Sequence, residues 1–247
     1  MKYSKNRIPG IQLSLGLCVI AMLSCPVVSH AALLLGDEIY ISFDNSSTDF
    51  TDGLDTWNRL AFSSSVGVLD GDLQNTGNVL TGVGISQVDK MTDSNGAGDI
   101  GGSLWPDAAA GDYWFGDNGG HSGSSDNGQG EFTFTGLDTG TSYKFDIFGS
   151  RGSSSGTRQT IYTVTGANTD NATLNVINNK DDSVIISNIT PNGSGEITFH
   201  LMSGLTNDST NEYYYINALK ITAIPESSTF VLLLGSMGLL MVLRRRK

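Results

Sequence analysis

The chain has 247 residues, enough for one large β-domain or two small ones with a buried core, which excludes a small peptide. Its 31 glycines are nearly twice ordinary usage, while prolines number only 5 and charged residues make up 16%, a composition that excludes a disordered polyelectrolyte. Between residues 32 and 223 only seven cations face 24 acids, a net of −17, and such a surface argues against nucleic acid and anionic lipid as partners while leaving metal cations and neutral sugars open.

Residues 1–31 carry a basic start, an apolar run over residues 11–23 and a small-residue pair at Ser29-His30-Ala31. That pattern predicts a secretory signal peptide cut between Ala31 and Ala32, because an apolar run of about 13 residues falls short of the roughly 20 that span a bilayer. A rival cut would anchor a lipoprotein at Cys25, after Met22-Leu23-Ser24. Cys18 and Cys25 both precede Ala31, so cleavage there leaves a mature chain with no disulfide, no thiolate metal site and no cysteine nucleophile.

The body, residues 32–223, reads as β-structure. Residues 39–43 and 66–69 are the first strand candidates, and acids beside them (Asp37, Glu38 and Asp44; Asp70 and Asp72) offer oxygen ligands. Residues 93–130 are rich enough in loop-forming types to predict a decorated insertion. Within it Asp93 and Asn95, with Asp99, form the best candidate for a structural calcium site, although their spacing matches no known calcium loop. No other cofactor is expected. Trp105, Tyr113, Trp114 and Phe115 concentrate aromatics there, next to Asp117. Trp105, Tyr113 and Trp114 with Asp117 are candidate glycan-binding residues, since a ring face stacks on a sugar and a carboxylate bonds its hydroxyls. The competing reading buries Trp114 and Phe115 in the core, as large aromatics usually are. Exposure of Trp105 and Trp114 separates the two.

From Glu131 onward, alternating runs recur between turn clusters: Phe132/Phe134, Tyr143/Phe145/Ile147, Tyr162/Val164, Leu174/Val176, Val184/Ile186, Ile197/Phe199/Leu201 and Tyr215/Asn217/Leu219/Ile221. Together with the earlier candidates they predict eight or more strands in an antiparallel, two-sheet β-sandwich. In the final run Asn217 shares a face with Tyr215 and Leu219, so if that face is the core its amide needs hydrogen bonds, with the turn at Gly149-Ser150-Arg151 the expected partner. The stretches Phe132-Thr133-Phe134-Thr135-Gly136-Leu137, Tyr143 through Gly149-Ser150-Arg151, Thr160-Ile161-Tyr162-Thr163-Val164-Thr165-Gly166 and Tyr215-Ile216-Asn217-Ala218-Leu219-Lys220-Ile221 resemble the galactose-binding-like jelly rolls of exported bacterial proteins, and imply a jelly-roll sandwich. That resemblance implies carbohydrate binding and a structural calcium in many members.

Catalytic signals are sparse. Gly152-Ser153-Ser154-Ser155-Gly156 matches a nucleophile-elbow pattern without the helix it requires, and Gly96-Ala97-Gly98-Asp99-Ile100-Gly101 matches a dinucleotide fingerprint without its strand and helix. His121 and His200 are too few for a histidine metal site. The chain therefore reads as a non-enzyme, with a secreted carbohydrate-active hydrolase as the alternative.

Residues 224–247 are tripartite: Ile224-Pro225-Glu226-Ser227, an apolar run over 230–243 that predicts a short helix, and the cations Arg244, Arg245, Arg246 and Lys247. At 1.5 Å per residue the helix reaches about 21 Å, short of a hydrocarbon core of about 30 Å, so it engages the inner membrane transiently, with its cations on the cytoplasmic side. The tail resembles the PEP-CTERM sorting signal, with Ser227 where a second proline is usual. The resemblance implies an exosortase-like processing protease as partner, an exopolysaccharide context and delivery to the cell surface or extracellular matrix.

Overall fold

A computed structural model describes residues 33–118, 128–208 and 210–225. The signal segment with Ala31 and Ala32, His121, and the tail from Glu226 onward lie outside the described residues. Among those described, no helix is long and apolar enough to cross a membrane.

The strands are β1 Glu38–Asp44, β2 Phe50–Asp52, β3 Asp55–Ala61, β4 Gly67–Asp70, β5 Gly84–Asp89, β6 Asp93–Asn95, β7 Tyr113–Gly116, β8 Gln129–Thr135, β9 Ser142–Phe148, β10 Gln159–Thr165, β11 Thr169–Asn175, β12 Val184–Ile189, β13 Ile197–Ser203, β14 Tyr214–Ile216 and β15 Ala218–Ile224, with one helical turn, α1 Asp107–Ala110. Two six-stranded sheets form a sandwich, one in the order β12-β9-β15-β1-β3-β2 and the other β11-β10-β13-β8-β5-β4. Among the described strands every pairing is antiparallel except β1 with β3, which sets Tyr40 beside Trp57.

Period-two alternation explains the layering. In β8, β10 and β13 every second side chain is buried, which points Phe132, Phe134, Tyr162, Val164, Phe199 and Leu201 into the sandwich. Ile39, Ile41 and Phe43 answer from β1, and Phe145 and Ile147 from β9. Aromatic pairs cross the gap, Phe43 to Phe132 at 5.3 Å and Phe134 to Phe145 at 6.0 Å between ring centroids. His200, alternating with Phe199 and Leu201, faces away from the core and meets Gln129 at 2.6 Å.

β1 is buried on both faces because its outer side is also covered. Register aligns Phe50, Trp57, Tyr40, Lys220, Asp146 and Ile185 in one row across the outer face of the first sheet. Trp105 and the alanines of α1 fold onto this row and onto Phe148, making a second apolar cluster. The insertion is thus partly a cover for the sheet, and it also supplies β6 and β7, which join β14 in a third, three-stranded ribbon.

The last run is not one strand. It belongs to the ribbon as β14 and to the first sheet as β15, and Asn217 sits at the change of sheet, fully buried. Its N–H donates to the Phe148 carbonyl (3.0 Å) and its carbonyl accepts from the Phe43 N–H (2.8 Å). Its side-chain Oδ1 accepts from the Ser150 N–H (2.6 Å) and its Nδ2 donates to the Ala110 carbonyl (2.8 Å). The amide is buried and bonded at the turn the sequence pointed to.

Candidate functional site

The ribbon has two unlike faces. Trp114, Tyr214 and Ile216 turn inward to the core. The alternate residues turn outward: Asp93 and Tyr215 flank Phe115, and Asn95 lies opposite Tyr113. β14 is held in place by β10, since the Tyr215 N–H donates to Thr160 Oγ1 (3.0 Å) and the Tyr162 hydroxyl donates to the Tyr215 carbonyl (2.7 Å).

Two arginines close this face into a cleft of about 250 Å³, with Tyr213 at its edge. Their backbones are tied to one intervening segment: the Arg151 N–H donates to the Val176 carbonyl (2.7 Å), the Val176 N–H to the Arg158 carbonyl (3.0 Å), and the Asn178 N–H to the Arg151 carbonyl (2.9 Å). The Arg158 guanidinium lies 5.1 Å from the Tyr213 ring centre and 5.7 Å from that of Tyr215, and its Nη1 donates to the Tyr215 hydroxyl. Arg151 lies 5.8 Å from the Tyr113 ring centre, and its Nη1 donates to the Gly152 carbonyl (2.5 Å). Tyr113 meets Tyr215 edge to face at 5.3 Å. Burial pushes the Tyr215 phenol up to about 12 against the opposing pull of Arg158, and burial raises Tyr113 as well. Both therefore stay neutral donors at physiological pH. With guanidinium donors, the Asp93 carboxylate and the Asn95 amide around it, the cleft can both donate to and accept from a polar ligand.

Of the residues predicted to bind glycan, only Tyr113 is in this cleft. Trp105 is 4% exposed and packs on Phe148 with ring centres 5.2 Å apart, so it is cover for the sheet. Trp114 is 0% exposed, and its Nε1 donates to the Asp44 carbonyl (2.8 Å). Asp117 is also fully buried and accepts from the Thr92 hydroxyl (3.2 Å). The sugar-stacking expectation for Trp105, Trp114 and Asp117 is corrected accordingly: their apolar or bonded surroundings take them out of reach.

The calcium set does not assemble. Asp93 and Asn95 face the cleft, but Asp99 pairs with Lys180 (3.4 Å), and no group of three or more His, Cys, Asp or Glu able to hold a metal occurs among the described residues. The other acid groups act as loop caps. Asp70 accepts the Asp72 N–H (2.9 Å), Asp72 accepts the Gly82 N–H (2.7 Å), and Asp44 accepts the N–H groups of Asn45 and Ser46 while pairing with Arg59 at 2.7 Å.

Sequence reasoning missed Arg151, Arg158, Tyr213 and Tyr215, which the topology gathers from distant positions. One signal was present: two of the body's seven cations lie seven residues apart, on either side of the 152–156 loop. It also missed a carboxyl pair. Burial first, then a hydrogen bond to Asp44 and its charge, raise Asp112 to about 6, opposed by the Asn45 N–H and by Arg59. This pair is not among the cleft's lining.

No family model matches the chain, and no curated protein matches it in sequence. Among solved structures it is similar to the ANX1 ectodomain from Arabidopsis thaliana (14% identity, TM-score 0.42, covering 79% of this chain and 54% of that one). It is also similar to TmCBM61 in complex with β-1,4-galactotriose (14%, TM-score 0.30, 57% and 88%) and to the CBM22-1 xylan-binding domain from Paenibacillus barcinonensis Xyn10C (13%, TM-score 0.29, 79% and 100%). The chain spans about half the length of the receptor ectodomain.

Proposed function

We propose that this chain is an exported, non-enzymatic β-sandwich, a jelly roll of the cell surface or extracellular matrix, that binds glycan in the cleft between the ribbon and the two arginines. The observation carrying this reading is the cleft's mixture of aromatic walls with both donors and acceptors, because every sugar hydroxyl both donates and accepts. Export rests on the signal-like residues 1–31, and surface delivery on the PEP-CTERM-like residues 224–247, whose partner would be an exosortase-like protease.

A second reading, a structural matrix protein without a small ligand, is favoured by the burial of Trp105 and Trp114. Titration with a panel of neutral and acidic oligosaccharides, followed by calorimetry and by the NMR signals of the tyrosine rings, separates the two. Saturable shifts at Tyr113 and Tyr215 are expected. A panel that leaves both rings unmoved would favour the structural reading.

A further inference from the structure

We infer that the cleft takes a carboxylate-bearing sugar, a single uronate-type residue within an otherwise neutral glycan, with Arg151 and Arg158 as its charged donors. This rests on the binding reading above and names the ligand class.

The body is strongly acidic, yet two of its seven cations converge on one cleft. Surrounded by 24 acids, neither guanidinium has a carboxylate within ion-pair distance among the described residues, whereas Arg59 and Lys180 have partners at 2.7 and 3.4 Å. Asp93 lines the same cleft without an ion-pair contact to either; its Oδ1 accepts the Ser94 N–H (2.8 Å). Each guanidinium has five N–H donors. Arg158 spends Nη1 on the Tyr215 hydroxyl, and Arg151 spends its own on the carbonyls of Gly152 and, at 3.4 Å, Ala97. The remaining donors are half-buried and fixed by the tyrosine rings beneath them, a pre-organised fork that fits a planar carboxylate.

The guanidiniums lie 5.1 to 5.8 Å from the ring centres of Tyr113, Tyr213 and Tyr215, so a ligand in the cleft meets charged N–H donors beside aromatic walls. About 250 Å³ holds roughly one sugar ring by comparison with drug-sized pockets of about 300–1,000 Å³. The net charge of −17 repels a dense polyanion at long range, which is why the class is one carboxylate in a neutral stretch and not a phosphate-rich polymer. The whole-body charge points to neutral sugars, and the cleft reverses that preference locally.

The test compares an oligosaccharide of neutral hexoses carrying one hexuronate residue with its carboxyl-reduced counterpart, identical except for CH₂OH in place of COO⁻, by calorimetry on the purified full-length protein. The acidic form should bind at least about tenfold more tightly, a gap that Arg151→Gln and Arg158→Gln each shrink and Arg158→Lys shrinks less. Circular dichroism and melting temperature identify any variant that has lost its fold, and the wild-type comparison of the two sugars needs no variant. Equal affinity for both forms would overturn the acidic class and leave the glycan-binding reading standing. Binding of neither form would overturn both.

Discussion

Asn217 shows how one side chain lets a strand change sheets. Backbone direction shifts between Ile216 and Ala218, and the amide satisfies the two groups that the shift exposes, the Ser150 N–H and the Ala110 carbonyl. The packing around it is close enough that a Cβ on Gly98 would lie 1.9 Å from the Ala110 carbonyl oxygen and 2.9 Å from Asn217 Nδ2. Asn217→Ala orphans a buried donor and a buried acceptor, so urea denaturation should show a loss of about 2–3 kcal/mol; a change below about 0.5 kcal/mol would remove the residue from this role. Asp112 gives the residue-scale pH dependence. Its folded carboxyl is raised from 3.8 to about 6, so the native state holds the proton more tightly than the unfolded chain does. Stability from that proton is complete below the unfolded value and is lost as pH rises through about 6. Asp112→Asn keeps a donor toward Asp44 without the charge. Relative to wild type, it should gain on the order of 1 kcal/mol between about pH 4 and about pH 7, the figure being modest because solvent screens a partly exposed pair. A pH-independent difference between the two proteins would count against the Asp44–Asp112 contact.

At the scale of elements, the insertion has two jobs, and Trp105 performs one of them. It stacks on Phe148, meets Trp57 at 6.2 Å and has the Lys220 ammonium 4.7 Å from its ring centre, so it seals the outer face of the first sheet where Tyr40 and Trp57 would otherwise meet water. Trp105→Ala should cost about 3–5 kcal/mol and raise amide exchange across residues 96–112, while leaving sugar affinity at the cleft unchanged. Loss of binding without loss of stability would return Trp105 to the ligand site. The same elements mark what was legible in the sequence. β1, β8, β9, β10 and β13 were readable because one face is apolar and the other polar, the condition under which period-two alternation appears. β7 was hidden because both its faces are covered and Tyr113, Trp114 and Phe115 run without alternation; β6, three polar residues at the ribbon edge, has no hydrophobic signal at all. The cleft needs β6, β7, β14 and two turns brought together, so only Tyr113, Asp93 and Asn95 could be nominated locally. Trp114, grouped with Tyr113 by proximity, alternates to the opposite, buried face of β7, and Asp117 just beyond the strand is buried too.

For the molecule as a whole, charge is the property that local contacts leave least resolved. The body carries a net of −17, while among the described residues its ion pairs include Arg59 with Asp44 and Lys180 with Asp99. Many acids instead cap loops through backbone N–H groups, as Asp44, Asp72 and Asp138 do, which satisfies their hydrogen bonds without cancelling their charge. Compact folding therefore crowds like charges that the unfolded chain holds farther apart. Salt relieves that repulsion, because the screening length falls from about 30 Å at 0.01 M to below about 8 Å beyond physiological ionic strength. The melting temperature should consequently rise by several degrees as sodium chloride is raised from about 0.01 M to about 0.5 M, opposite to the trend for a protein stabilised by surface ion pairs. Over the same range, affinity for an acidic sugar in the arginine cleft should fall, since there the attraction is itself electrostatic. A melting temperature that stays flat or drops with salt would mean that the acids are paired more effectively than these ion pairs and loop caps allow.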